Sequence, residues 1–227
     1  MGADRPRYPD RAEAGRRLAA ALLPMALENP VVYALPRGGV PVALEVARAL
    51  GAPLDLILVR KIGAPGAPEL ALGAIVDGTH PQLVINENVR RHSGANDAWL
   101  QRARDREMAE LDRRRALYLG GRRQEDPAGR TAVIVDDGLA TGATVRAAII
   151  AMKEQGAGRI CVAVPVAAED ALPQVEAEAD LVVCLHAAHI FEGVGAFYED
   201  FHQLTDDETI SSLNQRRRDG TGDVPPA

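Results

Sequence analysis

The fold prediction starts from residues 133–144, which read Val133-Ile134-Val135-Asp136-Asp137-Gly138-Leu139-Ala140-Thr141-Gly142-Ala143-Thr144. An apolar run ends in two acidic residues, small residues follow, and a helix-forming sequence begins at Ala143. This order predicts a buried strand, a loop at its carboxyl end, and the first turn of a helix. Because open parallel α/β sheets bind ligands at the carboxyl ends of their strands, the segment also predicts where a site lies.

Short apolar runs and helical patterns alternate on both sides of this segment. Strands are predicted at 31–35, 54–59, 74–76, 82–86, 131–135, 159–164 and 181–185, and helices at 10–23, 41–50, 97–119, 143–155 and 168–177. Near-continuous apolar strands separated by helices are typical of an α/β protein whose central parallel sheet has helices on both faces.

The connections carry their own signals. Asp77-Gly78 predicts a small hairpin, and residues 62–69 (IGAPGAPE) predict a mobile loop because they offer almost no side chain that can pack. Thr205 and Glu208 predict a capping box for a last short helix. We predict a single domain over residues 1–214 and a disordered tail at 215–227.

Composition excludes several classes of function. The chain of 227 residues is 47% hydrophobic and 26% charged with a net charge of -6, which is typical of a globular protein and argues against nucleic acid as a partner. The arginine-rich helix at 97–119 has acids between its arginines, as on a solvated face. No long apolar run or signal-peptide pattern occurs, so we expect a cytoplasmic protein without a membrane span, in which Cys161 and Cys184 are free core thiols.

The chemistry of residues 133–144 points to a ligand with two kinds of group. Backbone N–H groups and hydroxyls from Thr141 to Thr144, at the positive end of a helix, suit a dianionic phosphate. Asp136 and Asp137 repel phosphate, so they need another partner, such as a sugar diol or Mg²⁺. The alternative is that the two acids only end the strand and that Gly142 only packs.

This string resembles the phosphoribosyl-diphosphate signature of type I phosphoribosyltransferases. The resemblance implies that Asp136 and Asp137 hold the ribose hydroxyls, and also Mg²⁺, mostly through the ligand or water. It implies that the 5-phosphate lies in a loop of five small residues, namely Ala140, Thr141, Gly142, Ala143 and Thr144. Ala140 departs from the acid usual in hypoxanthine-guanine members and is tolerated in adenine-type members.

Two further segments resemble parts of the same family. Arg37, Gly38 and Gly39 resemble its pyrophosphate loop, in which the peptide before the first glycine is often cis, and we expect strain at Arg37-Gly38. The alternative is a plain strand-to-helix turn. Arg60 and Lys61 resemble the start of its flexible catalytic loop, where two cations neutralise the departing diphosphate. The alternative is a solvated basic pair; the role of Glu69, in the same loop, is left open.

Residues 190–201 (IFEGVGAFYEDF) resemble the C-terminal hood that covers the base in purine-type members. We place the hood at about 186–204 and leave open a contribution from residues 10–27. Phe191 is expected to stack on the base and main-chain groups near Val194 to read its edge, with core or dimer packing as the alternative. His186 and His189 lack the other ligands of a zinc site, and Trp99 is expected to be a packing residue.

The resemblance implies a Mg²⁺-dependent phosphoribosyltransferase. It would transfer 5-phosphoribosyl from 5-phosphoribosyl 1-diphosphate (PRPP) to a nitrogenous base, purine-like by resemblance, and release pyrophosphate; relatives usually form homodimers. Two alternatives stay open: a non-catalytic module on the same fold that senses PRPP or a nucleotide, and a phosphate-cleaving hydrolase that uses the same acids.

Overall fold

The computed structural model describes residues 7–77, 81–120 and 124–218. The strands in this part of the chain are β1 Pro30–Ala34, β2 Leu54–Leu56, β3 Val59–Ala64, β4 Ala67–Val76, β5 Gln82–Ile85, β6 Thr131–Val135, β7 Arg159–Ala168 and β8 Leu181–Ala188. Its helices are α1 Arg11–Leu22, α2 Gly39–Ala49, α3 Glu87–Ser93, α4 Asp97–Leu119, α5 Ala143–Glu154, α6 Leu172–Glu176 and α7 Asp206–Arg218. None of these helices has the length and apolar character needed to cross a bilayer.

A parallel sheet of five strands, in the order β2-β1-β6-β7-β8, forms the centre of the protein. Every residue of β6 is buried, and its alternate side chains enter opposite apolar clusters. Val133 and Val135 pack on the face that α1 and α2 cover, whereas Ile134 packs on the face that α5 covers. The α/β fold predicted from the sequence, with helices on both faces of a parallel sheet, is confirmed.

A second, antiparallel sheet in the order β3-β4-β5 corrects one prediction. Residues 62–69 are not a loop: Ile62 pairs with Gly73 and Ala64 pairs with Ala67, around a turn in which Gly66 has φ +73. Composition misled here, because small residues pair as strands when one face can pack, and Ile62 and Leu72 are both buried. The predicted hairpin between β4 and β5 is confirmed by their antiparallel pairing, although residues 78–80 lie outside the described chain.

Helix predictions succeeded where capping signals are strong. α4 has its predicted bounds because Asn96 caps its first turn through Trp99 N and Gly120 ends it in a left-handed conformation. The predicted capping box is confirmed, with the Glu208 carboxylate accepting from Thr205 N at 2.8 Å and Glu208 N donating to Thr205 Oγ1 at 3.2 Å.

Several elements differ from prediction. The strand predicted at 54–59 is divided between β2 of the central sheet and β3 of the antiparallel sheet. α3 was missed; it is capped by the Asn86 side chain, which accepts from two main-chain N–H groups. The predicted helix at 168–177 is shorter, because β7 continues to Ala168 alongside β8 and leaves only a 3-10 turn and α6. The tail was expected to begin at Gln215, but α7 continues to Arg218, and residues 219–227 lie outside the described chain.

A buried ion cluster joins the antiparallel sheet to the central one. Asp77, after β4, accepts from Leu58 N at 2.6 Å, and its Oδ2 lies 3.1 Å from Nη1 of Arg115 on α4. The same guanidinium lies 3.4 Å from Oδ2 of Asp55 in β2. Burial raises the pKa of Asp77 to about 7, against the opposing effect of Arg115. The cluster therefore fixes β4 and α4 to the edge of the central sheet.

Three packing predictions are confirmed. Cys161 and Cys184 are free thiols, buried and half-buried respectively. Trp99 packs against the main apolar cluster. These residues therefore stabilise the core and take no part in the candidate site.

Candidate functional site

Asp136 and Asp137, hereafter the acid pair, lie where β6 ends at the carboxyl edge of the central sheet. Oδ1 of Asp136 accepts from Asp137 N at 2.9 Å. Burial and the neighbouring Asp137 charge raise the pKa of Asp136 well above its ordinary value. Burial also raises the pKa of Asp137, although Arg11 opposes this. The two carboxyl groups are thus held together in a setting that favours an added positive charge.

Arg11 is a site residue that the sequence pattern does not reveal. In the helix predicted at 10–23 the arginines fall on the face opposite the apolar residues, which predicts that they are exposed. The Arg11 side chain is nevertheless only 9% exposed. Its Nε donates to Oδ2 of Asp137 at 2.8 Å, and its Nη1 donates to the carbonyl of His202 at 3.1 Å. Its guanidinium also lies 3.9 Å from the ring centroid of Phe201. No local signal could have revealed these contacts, because Asp137 lies 126 residues further along the chain.

The turn between β1 and α2 packs directly against the acid pair. A Cβ placed on Gly38 would lie 2.0 Å from Oδ2 of Asp137, and one on Gly39 would lie 3.2 Å from Oδ1 of Asp136. Only glycines allow this approach, which brings together two segments that were identified separately in the sequence. The cis peptide joins Pro36 and Arg37, one residue before the expected position, and Gly38 has helical angles of φ -61 and ψ -38.

The Arg37 side chain faces the start of α7 instead of the acid pair. Its Nη1 lies 3.9 Å from Oδ1 of Asp206, which also accepts from the Tyr118 hydroxyl at 2.5 Å. The Arg37 side chain is 35% exposed. It is therefore held by a weak ion pair at the edge of the site, within reach of solvent.

The loop of small residues at 140–144 leads from the acid pair into α5. Gly142 has φ +71 and is the cap residue of α5, and the first-turn N–H groups of the helix begin at Ala143. The loop is anchored to β7, since Leu139 N donates to Val166 O at 2.9 Å and Ala168 N donates to Leu139 O at 2.8 Å. Ala140 and Thr141 are exposed. The loop therefore presents the amino end of a twelve-residue helix to solvent beside the two acids.

A cavity of about 690 Å³ lies beside this loop. Its lining includes Ala140, Thr141, Glu169, Asp170, His189 and Phe191. The cavity thus joins the small-residue loop to Phe191 of the hood (residues 186–204). Glu169 and Asp170 were not singled out in the sequence, and their position after β7, at the same sheet edge, was the available signal.

The hood is fixed to the site and to the N-terminal segment. A Cβ on Gly138 would lie 2.5 Å from Cγ1 of Val194, so the Val194 side chain covers Gly138, between the acid pair and the small-residue loop. The Tyr198 hydroxyl donates to the carbonyl of Asp137 at 2.6 Å. Tyr8 N donates to Phe197 O at 2.8 Å, so the segment before α1 contacts the hood. The hood, the N-terminal segment and the acid pair therefore form one packed unit.

The two histidines of the hood have separate contacts. His189 is exposed and its Nδ1 lies 3.1 Å from Oε2 of Glu169, while the His186 ring packs 5.6 Å from that of Phe197. In the described residues, no group of three or more His, Cys, Asp or Glu could hold a metal ion.

Arg60 and Lys61 lie in β3, which corrects their expected place at the start of a mobile loop. Nε and Nη2 of Arg60 lie 3.0 and 2.9 Å from Oε2 of Glu107 on α4. Lys61 is exposed. Across the described residues, no hydrogen bond or ion pair joins either cation to the acid pair. The pairing of β3 with β4 explains the difference, because both residues take part in it.

Comparisons with known proteins agree with this geometry. The sequence model of a protein family described as the phosphoribosyl transferase domain matches residues 7–201. Two curated relatives from strains of Mycobacterium tuberculosis, each provisionally named a phosphoribosyl transferase, are 43% identical over 212 residues, covering 93% of this chain and 47% of the relative. The chain therefore spans about half the length of these relatives.

A solved structure is similar over nearly its whole length. The crystal structure of TT1426 from Thermus thermophilus shares 45% sequence identity at a TM-score of 0.80, covering 92% of this chain and 98% of that one. Together with the match over residues 7–201, these similarities assign the family: the chain belongs to the phosphoribosyl transferase domain family.

Proposed function

We propose that the protein transfers 5-phosphoribosyl from PRPP to a purine-like nitrogenous base, with Mg²⁺, and releases pyrophosphate. The observation that carries the proposal is the meeting of four parts at one sheet edge. The acid pair touches the Gly38-Gly39 turn, and the amino end of α5 and the cavity with Phe191 lie beside it. A phosphate, a sugar diol and a flat base are the groups that such an arrangement can bind together.

Each part of the donor has a candidate partner. The N–H groups and hydroxyls of the small-residue loop suit the 5-phosphate, because they lie at the positive end of α5. The carboxylates of the acid pair accept hydrogen bonds from the ribose hydroxyls. Arg37 and the N–H group of Gly38 suit the diphosphate, since a guanidinium and an adjacent amide bind its oxygens. Gly39 would contribute by its close approach, because its N–H already donates to Leu35 O at 3.0 Å. Binding the diphosphate in this way requires Arg37 to leave Asp206.

The residues present fit Mg²⁺ only as an ion shared with the ligand. The acid pair offers hard carboxylate oxygens. Arg11 supplies one positive charge beside these two carboxyl groups, and the pKa of each is raised. Asp136 and Asp137 would hold the ion, mostly through the ligand or water. When bound, it would compensate the charge of the departing diphosphate.

The base is proposed to lie in the cavity between the small-residue loop and the hood. Phe191 offers a ring face for stacking, and main-chain groups near Val194 remain candidates for reading the base edge. The carboxylates of Glu169 and Asp170 accept hydrogen bonds, so a base that presents ring N–H or amino groups fits this lining. Bond cleavage at C1 of the ribose would pass through an oxocarbenium-like state. The protein's part is then to orient donor and base and to exclude water.

Lys61 and Arg60 remain proposed partners of the diphosphate. Lys61 is the better candidate because it is exposed, whereas Arg60 would first have to leave Glu107. A cytoplasmic location and a homodimer are also proposed, following the usual behaviour of the family.

A sensing module for PRPP or a nucleotide is the second candidate function. One observation favours it: Arg37 and Arg60, both expected to meet the leaving diphosphate, are engaged with Asp206 and Glu107. A protein that keeps these ion pairs could bind the donor without cleaving it.

Radiolabelled PRPP with a panel of amino- and oxo-substituted bases tests the proposal. We expect base-dependent release of pyrophosphate that is lost when Asp136→Asn and Asp137→Asn are combined and is kept in Asp112→Asn, an exposed control on α4. Binding of PRPP without turnover on any base would favour the sensing module. Release of inorganic phosphate would instead indicate a hydrolase.

A further inference from the structure

We propose that Arg11 is a positioning residue for the donor site, and that through it the two acids take unequal roles. Arg11 holds the Asp137 carboxylate in place and links it to the hood, which leaves Asp136 as the acid that contacts the sugar. This inference rests on the proposed function, since it assigns roles within the same site.

The main-chain N–H, the carbonyl and Oδ2 of Asp137 are each held by a neighbouring group. Its N–H donates to Oδ1 of Asp136 at 2.9 Å, and its carbonyl accepts from the Tyr198 hydroxyl at 2.6 Å. Its Oδ2 accepts from Nε of Arg11 at 2.8 Å and lies where Gly38 has no room for a Cβ. A carboxylate held in this way cannot change rotamer without breaking a buried ion pair.

Arg11 makes three contacts with three different groups. Nε binds Asp137, Nη1 binds the carbonyl of His202, and the planar guanidinium stacks on Phe201. Only a planar cation with several donors in a fixed arrangement can make these contacts at once; a lysine ammonium would keep the charge but lose the stacking and one or both directional bonds. The chemistry of the contacts therefore requires an arginine at this position.

The same three contacts couple the hood to the acid pair. Phe201 and His202 belong to the hood, and α1 carries Arg11 between the hood and the central sheet. A hood that shifts therefore pulls on the guanidinium and, through it, on Asp137. We therefore expect donor binding to depend on Arg11. Among the described residues, Arg11 makes no contact with the lining of the cavity beside Phe191.

The test compares Arg11→Gln and Arg11→Lys with Arg17→Gln. Arg17 is a matched control, because it lies on the same helix, pairs with Glu13 at 3.0 Å and stands 5.4 Å from the Tyr8 ring, away from the acid pair. We measure the calorimetric Kd for PRPP with Mg²⁺, and KM for PRPP and for the base. All measurements are made at a temperature at which circular dichroism shows each variant folded.

We expect Arg11→Gln to raise the Kd and KM for PRPP about 10- to 100-fold with little change in the KM for the base, as is typical when a supporting partner of a binding carboxylate is removed. Arg11→Lys should recover part of this loss, and Arg17→Gln should match the wild type. Arg11→Gln with an unchanged Kd for PRPP would overturn the inference. Equal losses in Arg11→Gln and Arg17→Gln would do the same.

A double-mutant cycle separates positioning from simple loss of stability. If Arg11 acts through Asp137, combining Arg11→Gln with Asp137→Asn should weaken PRPP binding no more than the worse single change, because the two residues share one interaction. The neutral pair also removes the unpaired buried charge, so it remains testable if Arg11→Gln alone does not fold. Additive losses would contradict the inference. Failure of the wild type to bind PRPP would instead contradict the proposed function.

Discussion

Replacing Gly38 with alanine tests whether contact between the β1–α2 turn and the acid pair governs donor binding. The Gly38 angles, φ -61 and ψ -38, suit alanine, so the backbone itself gains no strain. The added Cβ, however, would lie 2.0 Å from Oδ2 and 2.5 Å from Cγ of Asp137. The effect of the substitution is therefore steric and is directed at one carboxylate.

The size of the effect follows from these distances. Real Cβ contacts essentially never fall below 3.0 Å, so the turn or the carboxylate must move by about 1 Å. Overpacking of this kind typically costs about 1–3 kcal/mol in stability, and for a domain of this size each kcal/mol lowers Tm by about 2–4 °C. A 1 Å misplacement of a binding group can cost about 100-fold in activity, so we expect kcat/KM for PRPP to fall by roughly that factor.

Calorimetry with PRPP and steady-state kinetics, together with a thermal melt, would measure both effects. Gly158→Ala is the matched control, because its Cβ would also be tight, 3.0 Å from the Gly129 carbonyl carbon, but at the amino end of β7, away from the site. The control should lose stability and keep its Kd for PRPP. A folded Gly38→Ala variant that binds PRPP as tightly as the wild type would refute the reasoning.

Three further predictions concern the ion cluster and the hood. An unfolded aspartate titrates near 4, whereas the pKa of Asp77 is about 7. Between these pH values the folded protein therefore holds a proton that the unfolded chain lacks, and this group makes the free energy of unfolding decrease as pH rises, by at most about 1.4 kcal/mol per pH unit. The free energy of unfolding, measured with urea across that window, should depend less on pH in Asp77→Asn than in the wild type. The exposed control Asp105→Asn on α4 should match the wild type, and an identical pH dependence in all three proteins would contradict the assignment. Gly138→Ala should reduce PRPP turnover about tenfold by displacing Val194, and adding Val194→Ala should restore it; no recovery in the pyrophosphate assay would argue against that contact. Phe191→Ala should raise the KM for the base about tenfold through lost stacking and leave the Kd for PRPP unchanged, whereas an altered Kd would place Phe191 in the donor site.

The central sheet and its binding edge could be predicted because the signals are local. The apolar run of β6 ends abruptly in two acids, and the small residues that follow begin a helix at Ala143, as the sequence indicates. α4 was equally clear, because Asn96 and Gly120 mark its ends chemically. In these segments the signals are a continuous apolar run in β6 and capping residues at both ends of α4, and neither depends on the rest of the fold.

The parts that could not be predicted depend on distant contacts. Residues 62–69 form strands because β4 offers a pairing partner, and their composition alone gives no sign of it. Arg11 looks like a surface residue of an amphipathic helix until the sheet order places α1 beside Asp137. The same order, with β1 next to β6, brings Gly38 onto the acid pair. The topology of the sheet determines which residues far apart in sequence come into contact. The periodicity of the sequence does not reveal that topology.

The central claim is that the edge of the sheet at residues 136–144 binds a phosphoribosyl donor. Titration calorimetry of PRPP into the folded protein, with and without Mg²⁺, tests it most directly. We predict one binding event per chain that needs Mg²⁺ and disappears when Asp136→Asn and Asp137→Asn are combined. Undiminished binding by that folded double variant, or no binding by the wild type, would contradict it.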